Sequence, residues 1–406
     1  MIESGTPAYW RATLALSLGS ILIFANLYTP QPLLPLLRVG FGVTELQASL
    51  CVTISTLTLG LSLLIYGPLS DAIGRRPLML VTMALATLCT LTIPLATDFS
   101  TLLALRALQG LFLGGLPAVA LAYMGDEFKH DAMLLAVGIY IGANSVGGIA
   151  GRLMSGLAGA QWGWQGSFVA AGLVSVIILA VFVWALPPSR GFHPAPLRLG
   201  RMAMDLGRHL RNPPVLVAFL IGGINFMLFV NLYSFVTYVL SAPPYGLSTG
   251  WLGMLFLTYL SGTVAASFSG RLVRGGSQPL TMVAGIGLLI LGTLMTLIPR
   301  LDAIVAGLLV NAFGFFLTHS QASGWVSRHA THARASASSL YLVFYYAGAS
   351  VGGFYLGPFW NWLSWPGVVL GALVGFLAAL LLAVWLRLRE GVVADAAVVE
   401  PAASAG

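Results

Sequence analysis

The feature that most constrains this chain is a series of apolar runs, each long enough to cross a lipid bilayer as a helix. A helix needs about 20 mostly apolar residues to span roughly 30 Å of hydrocarbon. Such runs lie near 12–37, 46–66, 78–96, 101–124, 134–158 and 166–187, and again near 214–240, 250–270, 280–298, 302–323, 336–358 and 366–386. The pattern predicts an all-α integral membrane protein with twelve transmembrane helices.

The composition agrees with this prediction. Of the 406 residues, 58% are hydrophobic and only 8% are charged, whereas soluble domains contain about 25% charged residues. The net charge of +7 does not indicate nucleic acid, because the basic residues lie in short loops between the apolar runs. With a cytoplasmic N-terminus, fifteen of the 19 Lys and Arg residues fall on the cytoplasmic side. That bias predicts an even number of spans and two cytoplasmic termini.

The two halves of the sequence contain similar segments at nearly equal spacing. Phe24–Tyr28 in the first run recurs as Phe229–Tyr233 in the seventh, and the glycine and proline spacing of Gly60–Pro77 recurs in Gly262–Pro279. The nearly equal offsets favour a duplicated six-helix unit, an arrangement that many transporters use. We therefore predict two pseudo-symmetric six-helix bundles, 1–189 and 214–390, joined by a cytoplasmic linker, 190–213, and followed by a disordered tail, 391–406.

Conspicuous polar residues recur on every third predicted helix. Polar groups are costly in the bilayer, so they favour a shared aqueous cavity, although hydrogen bonds between neighbouring helices are the alternative. With two tyrosines of the eleventh helix, the substrate-cavity candidates are Asn26, Tyr28, Gln31, Arg106, Gln109, Asn225, Asn231, Tyr233, His319, Tyr341 and Tyr345.

Arg106 is the strongest single signal. Burying an unpaired arginine in the bilayer costs at least about 2.5 kcal/mol. A water-filled cavity, a partner or an anionic substrate group would offset that cost, and snorkelling to the outer interface is the alternative. The sequence gives a weaker signal for a proton carrier, because none of the twelve acidic residues lies in the middle of a span. His319 is the only intramembrane histidine and a candidate carrier, with a hydrogen-bonded helix contact as the alternative. Asp71 at the inner mouth is the other candidate carrier.

Glycines recur three to five residues apart in the fifth and eleventh predicted helices. Small residues at this spacing allow close helix packing, and the same strips would let two bundles rock against each other. The helix-packing glycines are Gly138, Gly142, Gly147, Gly148, Gly151, Gly352 and Gly353. Cys51 and Cys89 both lie in apolar runs and indicate neither a disulfide framework nor a metal site. We predict no cofactor.

The loop between the second and third predicted helices reads Gly67-Pro-Leu-Ser-Asp71-Ala-Ile-Gly74-Arg75-Arg76-Pro77. It resembles the signature loop of the major facilitator superfamily. Arg106–Gly110 resembles the fourth-helix motif of the drug–proton antiporter branch. Gly138–Gly151 resembles that branch's fifth-helix motif, although Ala143-Asn144 replaces its usual Gly-Pro pair. The chain as a whole looks like arabinose-efflux-permease-like bacterial inner-membrane exporters.

This resemblance implies a secondary transporter that exports small organic molecules, such as sugars, drugs or metabolites, in exchange for protons by alternating access. Uptake by the same fold is the alternative, and an integral membrane enzyme or a sensor is a more distant one. The resemblance also implies a monomer in the bacterial inner membrane. It implies an inner-side latch that stabilises the outward-open state, formed by Gly67, Asp71, Gly74, Arg75 and Arg76 with Asp126 and Arg334 as partners.

Overall fold

The computed structural model describes residues 1–192, 199–273, 277–330 and 332–399, which are mostly helical and contain no β-strand. Fourteen α-helices occur in this part of the chain: α1 (Pro7–Tyr28), α2 (Leu34–Phe41), α3 (Glu45–Ile73), α4 (Arg75–Thr92), α5 (Phe99–Leu113), α6 (Gly115–Glu127), α7 (His130–Ala185), α8 (Leu199–Leu210), α9 (Pro213–Ser241), α10 (Thr249–Met254), α11 (Tyr259–Val273), α12 (Gln278–Met295), α13 (Leu301–His329) and α14 (Arg334–Val399).

Two of these helices are long enough for two membrane crossings each. Helix α7 has 56 residues and leaves helical geometry at Gly163, where φ is 67°. Helix α14 has 66 residues and leaves it at Leu363 and Ser364. Ten helical stretches of the described chain have the length and hydropathy to cross a membrane, and two of them contain 55 residues. Because each of those two divides at its bend, every one of the twelve predicted spans has a counterpart.

Three predicted spans are interrupted rather than continuous. The first, predicted over 12–37, ends as α1 at Tyr28 and continues through a 3-10 turn into α2. Pro30 follows that end, and proline lacks the N–H that would continue the helical ladder. The fourth, predicted over 101–124, divides at Gly114, where a Cβ would lie 1.8 Å from the Ser62 hydroxyl. The eighth contains a 3-10 turn, Leu255–Thr258.

The linker contains a helix that the sequence analysis did not predict. Helix α8 lies within the predicted linker 190–213, and Arg208 pairs with Asp205 across 3.6 Å on its surface. Residues 193–198 of the linker and 400–406 of the predicted disordered tail lie outside the described residues.

The exposed surface of the helices is strongly apolar. Leu134, Ile177 and Leu381 are each at least 64% exposed, and many other large aliphatic side chains are exposed in the same way. Extended exposed apolar surface is unstable in water and suits contact with lipid tails. The exposed residues therefore agree with a membrane-embedded chain.

The chain packs into two compact units. Unit 1 comprises Met1–Arg201, Val230–Leu257 and Ala349–Pro358, and unit 2 comprises Met202–Phe229, Thr258–Gly348 and the residues from Phe359 onward. In unit 1, α1 packs along α7 and α3 packs on α5; in unit 2, α13 packs along α12 and α11. Unit 1 thus holds segments from both halves of the sequence. The predicted bundle boundaries at 189, 214 and 390 stay a prediction.

Candidate functional site

Arg106 is completely buried in unit 1 and binds main-chain carbonyl oxygens. Its Nε donates to the Cys51 carbonyl at 2.9 Å, Nη1 donates to that of Asn26 at 3.1 Å, and Nη2 donates to that of Leu27 at 2.8 Å. Nη1 also donates to the side-chain oxygen of Gln109. No carboxylate pairs with Arg106 among the described residues. The guanidinium therefore joins α5 to α1 and α3 through their backbones.

The break after α1 explains why the carbonyls of Asn26 and Leu27 are available. The carbonyl of Asn26 would ordinarily accept from the N–H four residues later, which is Pro30 and has none. Carbonyls in the last turn of a helix need other donors. Arg106 supplies them with a planar fork of five N–H groups. The same proline that ends α1 thus creates the site that holds the arginine.

A chain of side-chain hydrogen bonds extends from this site. Asn26 Nδ2 donates to the Ser175 hydroxyl at 2.8 Å, and the Thr90 hydroxyl donates to Asn26 Oδ1 at 2.7 Å. Gln109 Nε2 donates to the Thr90 hydroxyl at 2.6 Å. These residues are buried and connect α1, α4, α5 and α7. Ser175 and Thr90 were not predicted, because single hydroxyls inside apolar runs carry little signal of their own.

A second buried arginine, Arg152 of α7, lies against aromatic faces. Its guanidinium carbon is 3.9 Å from the centroid of the Tyr28 ring and 4.6 Å from that of Phe256. Its Nε donates to the Gln31 side-chain oxygen at 2.8 Å, and its Nη1 donates to the Gly148 carbonyl at 2.9 Å. Stacking over aromatic faces is favourable for a guanidinium, particularly away from water.

Gln31 connects this arginine to the seventh predicted span. Its Nε2 donates to the Val230 carbonyl at 3.0 Å and lies 3.1 Å from the Ser234 hydroxyl. Both partners belong to the part of α9 that packs in unit 1. Tyr233 is fully buried there, with its ring 5.5 Å from that of Phe256. Asn231, the counterpart of Asn26 in the repeat, donates to the Ala349 carbonyl at 2.9 Å.

Further hydrogen bonds in unit 1 join the two halves of the sequence. We call them the closure contacts, and they are Gln31 with Val230 and Ser234, Tyr238 with the Glu45 carbonyl at 3.0 Å, and Ser350 with the Thr53 carbonyl at 3.1 Å. All of them use neutral side chains and backbone carbonyls. Such bonds can be exchanged for water at modest cost, because net hydrogen-bond energies are only about 0.5–1.5 kcal/mol.

The glycines of α7 fall into two groups. A Cβ on Gly147 would lie 2.7 Å from the Ile21 Cα, and one on Gly151 would lie 2.4 Å from the Ala25 Cα, so α1 approaches closely at both. A Cβ on Gly138 or Gly142 would meet no atom within 4 Å. These two predicted packing glycines are therefore not at a close helix contact in this structure, because α1 packs only on the later turns of the strip.

The remaining predicted packing glycines lie within unit 1 as well. A Cβ on Gly148 would be 3.3 Å from Arg152 Nη1, so that glycine leaves room for the guanidinium. A Cβ on Gly353 would be 3.3 Å from the Ser49 hydroxyl and 3.4 Å from Asn231 Oδ1. Gly352 is buried beside it in α14.

The signature loop forms an ion-pair network at the junction of α3 and α4. Arg75 binds Asp71, donates from Nε to Asp126 Oδ2 at 3.1 Å and donates from Nη1 to the Ser70 hydroxyl at 2.6 Å. Gly74 has φ 105°, which favours glycine and allows α4 to begin immediately after α3. The network lies entirely in unit 1.

Other predicted latch residues have different surroundings. Arg76 donates to the carbonyls of Leu186 at 3.2 Å and Val183 at 3.4 Å, the last carbonyls of α7, where a positive charge is favourable. A Cβ on Gly67 would meet no atom within 4 Å. The side chain of Arg334 lies outside the described residues.

The C-terminal end of α6, which carries Asp126, is held from two directions. Glu127 is buried, and its Oε1 accepts from the backbone N–H groups of Arg190 at 2.7 Å and Gly191 at 2.9 Å. On the other side, the Ile2 N–H donates to the Glu127 carbonyl at 2.6 Å and the Lys129 N–H donates to the Ile2 carbonyl at 2.9 Å. The sequence analysis missed this role of Glu127, for which a carboxylate at a helix end was the only signal.

In unit 2, the predicted candidates meet in an aromatic cluster. The hydroxyl of Tyr341 lies 2.9 Å from His319 Nδ1, and the ring of Tyr345 is 4.6 Å from the imidazole. Tyr345 also stacks on Phe226, with centroids 3.7 Å apart and planes within 11°. Asn225, next to Phe226, is 1% exposed. Among the described residues, no group of His, Cys, Asp and Glu is arranged to hold a metal ion.

Comparisons with known proteins agree with this architecture. The chain is 39% identical over 385 residues to the MFS-type transporter YybF of Bacillus subtilis, covering 95% of this chain and 94% of YybF. It is 38% identical over 389 residues to the inner membrane transport protein YnfM of Escherichia coli, covering 96% and 93%. The purine ribonucleoside efflux pump NepI of Salmonella paratyphi B is 25% identical over 361 residues, covering 86% and 88%.

Solved structures show the same fold at low sequence identity. The nucleoside transporter NupG superposes with a TM-score of 0.73 at 14% identity, covering 93% of this chain and 99% of NupG. A D-xylose–proton symporter superposes with a TM-score of 0.69 at 15% identity, covering 92% and 97%. Residues 16–353 match the sequence profile of the Major Facilitator Superfamily. The chain is therefore a multi-pass membrane transporter, not an enzyme, and belongs to the major facilitator superfamily.

Proposed function

We propose that this transporter exports small organic molecules in exchange for protons by alternating access. The closure contacts carry the proposal. They hold α9 and the part of α14 before its bend to the turn after α1 and to α3, in unit 1, by neutral hydrogen bonds. Outward opening requires only that these bonds be replaced by bonds to water. A permanently closed contact would more often be built from apolar packing, which water cannot replace.

Arg152 gives these contacts a link to the middle of the bundle. Its Nε holds the Gln31 oxygen, which orients the Gln31 amide towards Val230 and Ser234. The guanidinium itself is fixed by Tyr28 and by the Gly148 carbonyl. A substrate that displaced Arg152 from Gln31 would weaken the closure contacts. The arrangement thus couples occupancy of a central site to outer opening, which alternating access requires.

Protons are the proposed driving ion, carried by groups that lie at or near the ends of the spans. Asp71 and Asp126 share Arg75 at the predicted inner mouth. Protonation of either carboxylate would release one arm of that network and free the latch. His319 is a second proposed carrier, in contact with the hydroxyl of Tyr341. One relative is named an efflux pump and one structural neighbour a proton symporter, which supports both export and proton coupling.

The substrate-cavity candidates also indicate which class of substrate is favoured. The candidate side chains are neutral amides, phenols and an imidazole, apart from Arg106, which is fully occupied by backbone carbonyls. A neutral organic substrate therefore suits them better than a polyvalent cation. We also propose a monomer in the bacterial inner membrane, with both termini in the cytoplasm. Proton-coupled uptake by the same fold is the second candidate function, and the D-xylose–proton symporter among the structural neighbours favours it.

A vesicle assay tests the proposal. Purified protein is reconstituted, a proton gradient is imposed, and the flux of labelled sugars, drugs and metabolites is measured in both directions. For at least one compound, we expect proton-driven flux in the direction opposite to that of proton flow. Flux in the same direction as protons would establish uptake instead. An absence of gradient-dependent flux from folded protein, for every compound, would contradict proton-coupled transport.

A matched pair of variants tests the closure contacts. Gln31→Leu removes the bonds to Arg152, Val230 and Ser234, whereas Gln47→Leu makes the same chemical change at an exposed N-terminal cap of α3. We expect a cysteine introduced at the buried Thr237, in a background that lacks Cys51 and Cys89, to be labelled faster in Gln31→Leu, because the outer side opens more often. Equal labelling rates for the two variants would contradict the gating role.

A further inference from the structure

The buried amide of Asn225 in unit 2 has no hydrogen-bond partner. It is 1% exposed, and neither its Nδ2 nor its Oδ1 has a donor or acceptor within reach among the described residues. A buried polar group without a partner costs about 1–3 kcal/mol. Other buried amides, such as Asn26, Gln109 and Asn231, are hydrogen-bonded. The amide of Asn225 is therefore poised for a group that the protein itself does not supply.

The register of α9 places Asn225 among aromatic rings. Residues three and four apart share a helix face, so Asn225 lies between Gly222 and Phe229. A Cβ on Gly222 would be 2.5 Å from the Tyr341 ring, and the ring of Phe229 lies parallel to that of Phe315 at 3.9 Å. The face that carries Asn225 is therefore the one that packs against α13 and α14.

His319 lies between the same two neighbours. Its ring centroid is 6.0 Å from that of Phe315 and 5.6 Å from that of Tyr341. It also approaches Tyr345, which stacks on Phe226 with centroids 3.7 Å apart. Both His319 and Tyr345 are only half-buried. The cluster thus offers parallel aromatic faces together with an accessible polar edge.

We propose that these residues form a binding site for the planar ring of a neutral heteroaromatic substrate. This ring site consists of Asn225, Phe226, Phe315, His319, Tyr341 and Tyr345. The proposal rests on the transport function proposed above and names its substrate class. Stacked aromatic faces favour flat π-systems. An asparagine amide presents one donor and one acceptor side by side, which matches adjacent acceptor and donor groups on a heteroaromatic ring, as in the recognition of adenine.

The chemistry of the site selects against other substrate classes. No Asp, Glu, Lys or Arg belongs to the ring site, and the ion pair of Arg300 with Asp302 in unit 2 lies at the start of α13. A sugar would require several donors and acceptors around each ring, whereas the site is mainly aromatic face. In the empty protein, Tyr345 covers the face of Phe226. A substrate ring of the same shape takes the place of Tyr345, whose half-buried position lets it rotate away.

The test compares adenine with purine, which has the same ring system without the amino group, and with D-arabinose. Binding to purified protein in lipid nanodiscs is measured by calorimetry. We expect adenine to bind most tightly, and Asn225→Leu to weaken adenine binding about 10- to 100-fold, the discrimination typical of a bidentate amide contact. The same substitution should change the binding of purine much less, since purine lacks the amino group that would donate to the Asn225 side-chain oxygen. Asn311→Leu is the control, because the Asn311 amide already donates to Thr293 at 2.9 Å.

Thermal stability supplies a second measurement. Because Asn225 lacks partners, Asn225→Leu should melt at the wild-type temperature or above it, whereas Asn311→Leu should melt lower. Three outcomes would overturn the ring site: equal adenine affinity in wild type and Asn225→Leu, equal affinity for adenine and D-arabinose, or a large loss of stability in Asn225→Leu. Adenine binding without proton-driven flux would contradict the transport proposal while leaving the ring site intact. Proton-driven flux of non-aromatic compounds, without binding of adenine or purine, would contradict the ring site while leaving the transport proposal intact.

Discussion

Replacement of Arg106 by lysine separates two roles for the buried arginine. If Arg106 acts as a charge in a cavity, lysine keeps the charge and should keep transport. If it acts as a fork that holds three backbone carbonyls, lysine should fail, because an ammonium group is a compact point donor. The distances of 2.8–3.1 Å to the carbonyls of Cys51, Asn26 and Leu27 favour the fork.

The number of bonds sets the expected magnitude. Lysine can reach one of the two carbonyls at the end of α1, so at least one is left without a donor, whereas the Cys51 carbonyl keeps the Ser55 hydroxyl at 3.3 Å. Each buried orphan costs about 1–3 kcal/mol. The cost of burying the charge, at least about 2.5 kcal/mol on insertion scales, remains. We therefore expect Arg106→Lys to lose about 2–4 kcal/mol of stability. Arg106→Ala removes the charge cost but leaves both carbonyls at the end of α1 without a donor, and it should be at least as unstable.

The assay combines thermal melting with transport. Wild type, Arg106→Lys and Arg106→Ala are inserted, purified in the same detergent and melted while monodispersity is followed, and each is then tested for flux in vesicles. Both variants should insert, melt well below wild type and show little or no flux. Arg11→Lys is a matched control, because Arg11 is exposed and donates to a single carbonyl, that of Trp184. Wild-type melting and flux in Arg106→Lys would refute the fork and support a simple charge.

Four further outcomes are expected. Gly151→Ala should lose about 1–3 kcal/mol of stability, since its Cβ would lie 2.4 Å from the backbone of α1. The control Gly138→Ala should gain up to about 1 kcal/mol from helix propensity. Equal melting temperatures for the two variants would contradict the close contact. Asp71→Asn should slow turnover with substrate affinity largely kept, and a selective loss of affinity in binding assays would argue against the latch. Glu127→Gln should expose the linker to limited proteolysis, and unchanged cleavage would show that its bonds are dispensable. Lys129 lowers the pKa of Glu3, so protease protection of the N-terminal segment should persist at neutral pH and fade only as acid protonates Glu3; protection independent of pH would count against this pair.

Much of the architecture was predictable because lipid demands long apolar segments. Each predicted span has a helical counterpart, and the bends at Gly163 and Ser364 fall between predicted spans. The breaks within spans were harder to predict. Pro30 gave a visible signal, but Gly114 is one of 48 glycines, and only its contact with Ser62 distinguishes it.

The candidate sites were less predictable, because side-chain identity says little about main-chain partners. Arg106 was predicted to need something that offsets the cost of its burial, and in the structure it binds carbonyls, which every residue carries. The pairing of Arg75 with Asp126 was implied by resemblance and is present. The lack of partners for Asn225 has no sequence signal, since it depends on what surrounds the amide.

In this chain, a buried arginine supplies the hydrogen-bond donors that an interrupted helix lacks. A transporter needs helices that can bend, and proline and glycine interruptions in a membrane leave carbonyls without donors. Water would satisfy them but would also open a leak through the bundle. Arg106 satisfies the carbonyls next to Pro30 while excluding water, and its charge is spread over several carbonyl dipoles. A carboxylate could not replace it, because an ionised carboxylate only accepts hydrogen bonds. The acidic residues Asp71 and Asp126 instead lie near the ends of α3 and α6, where both pair with Arg75.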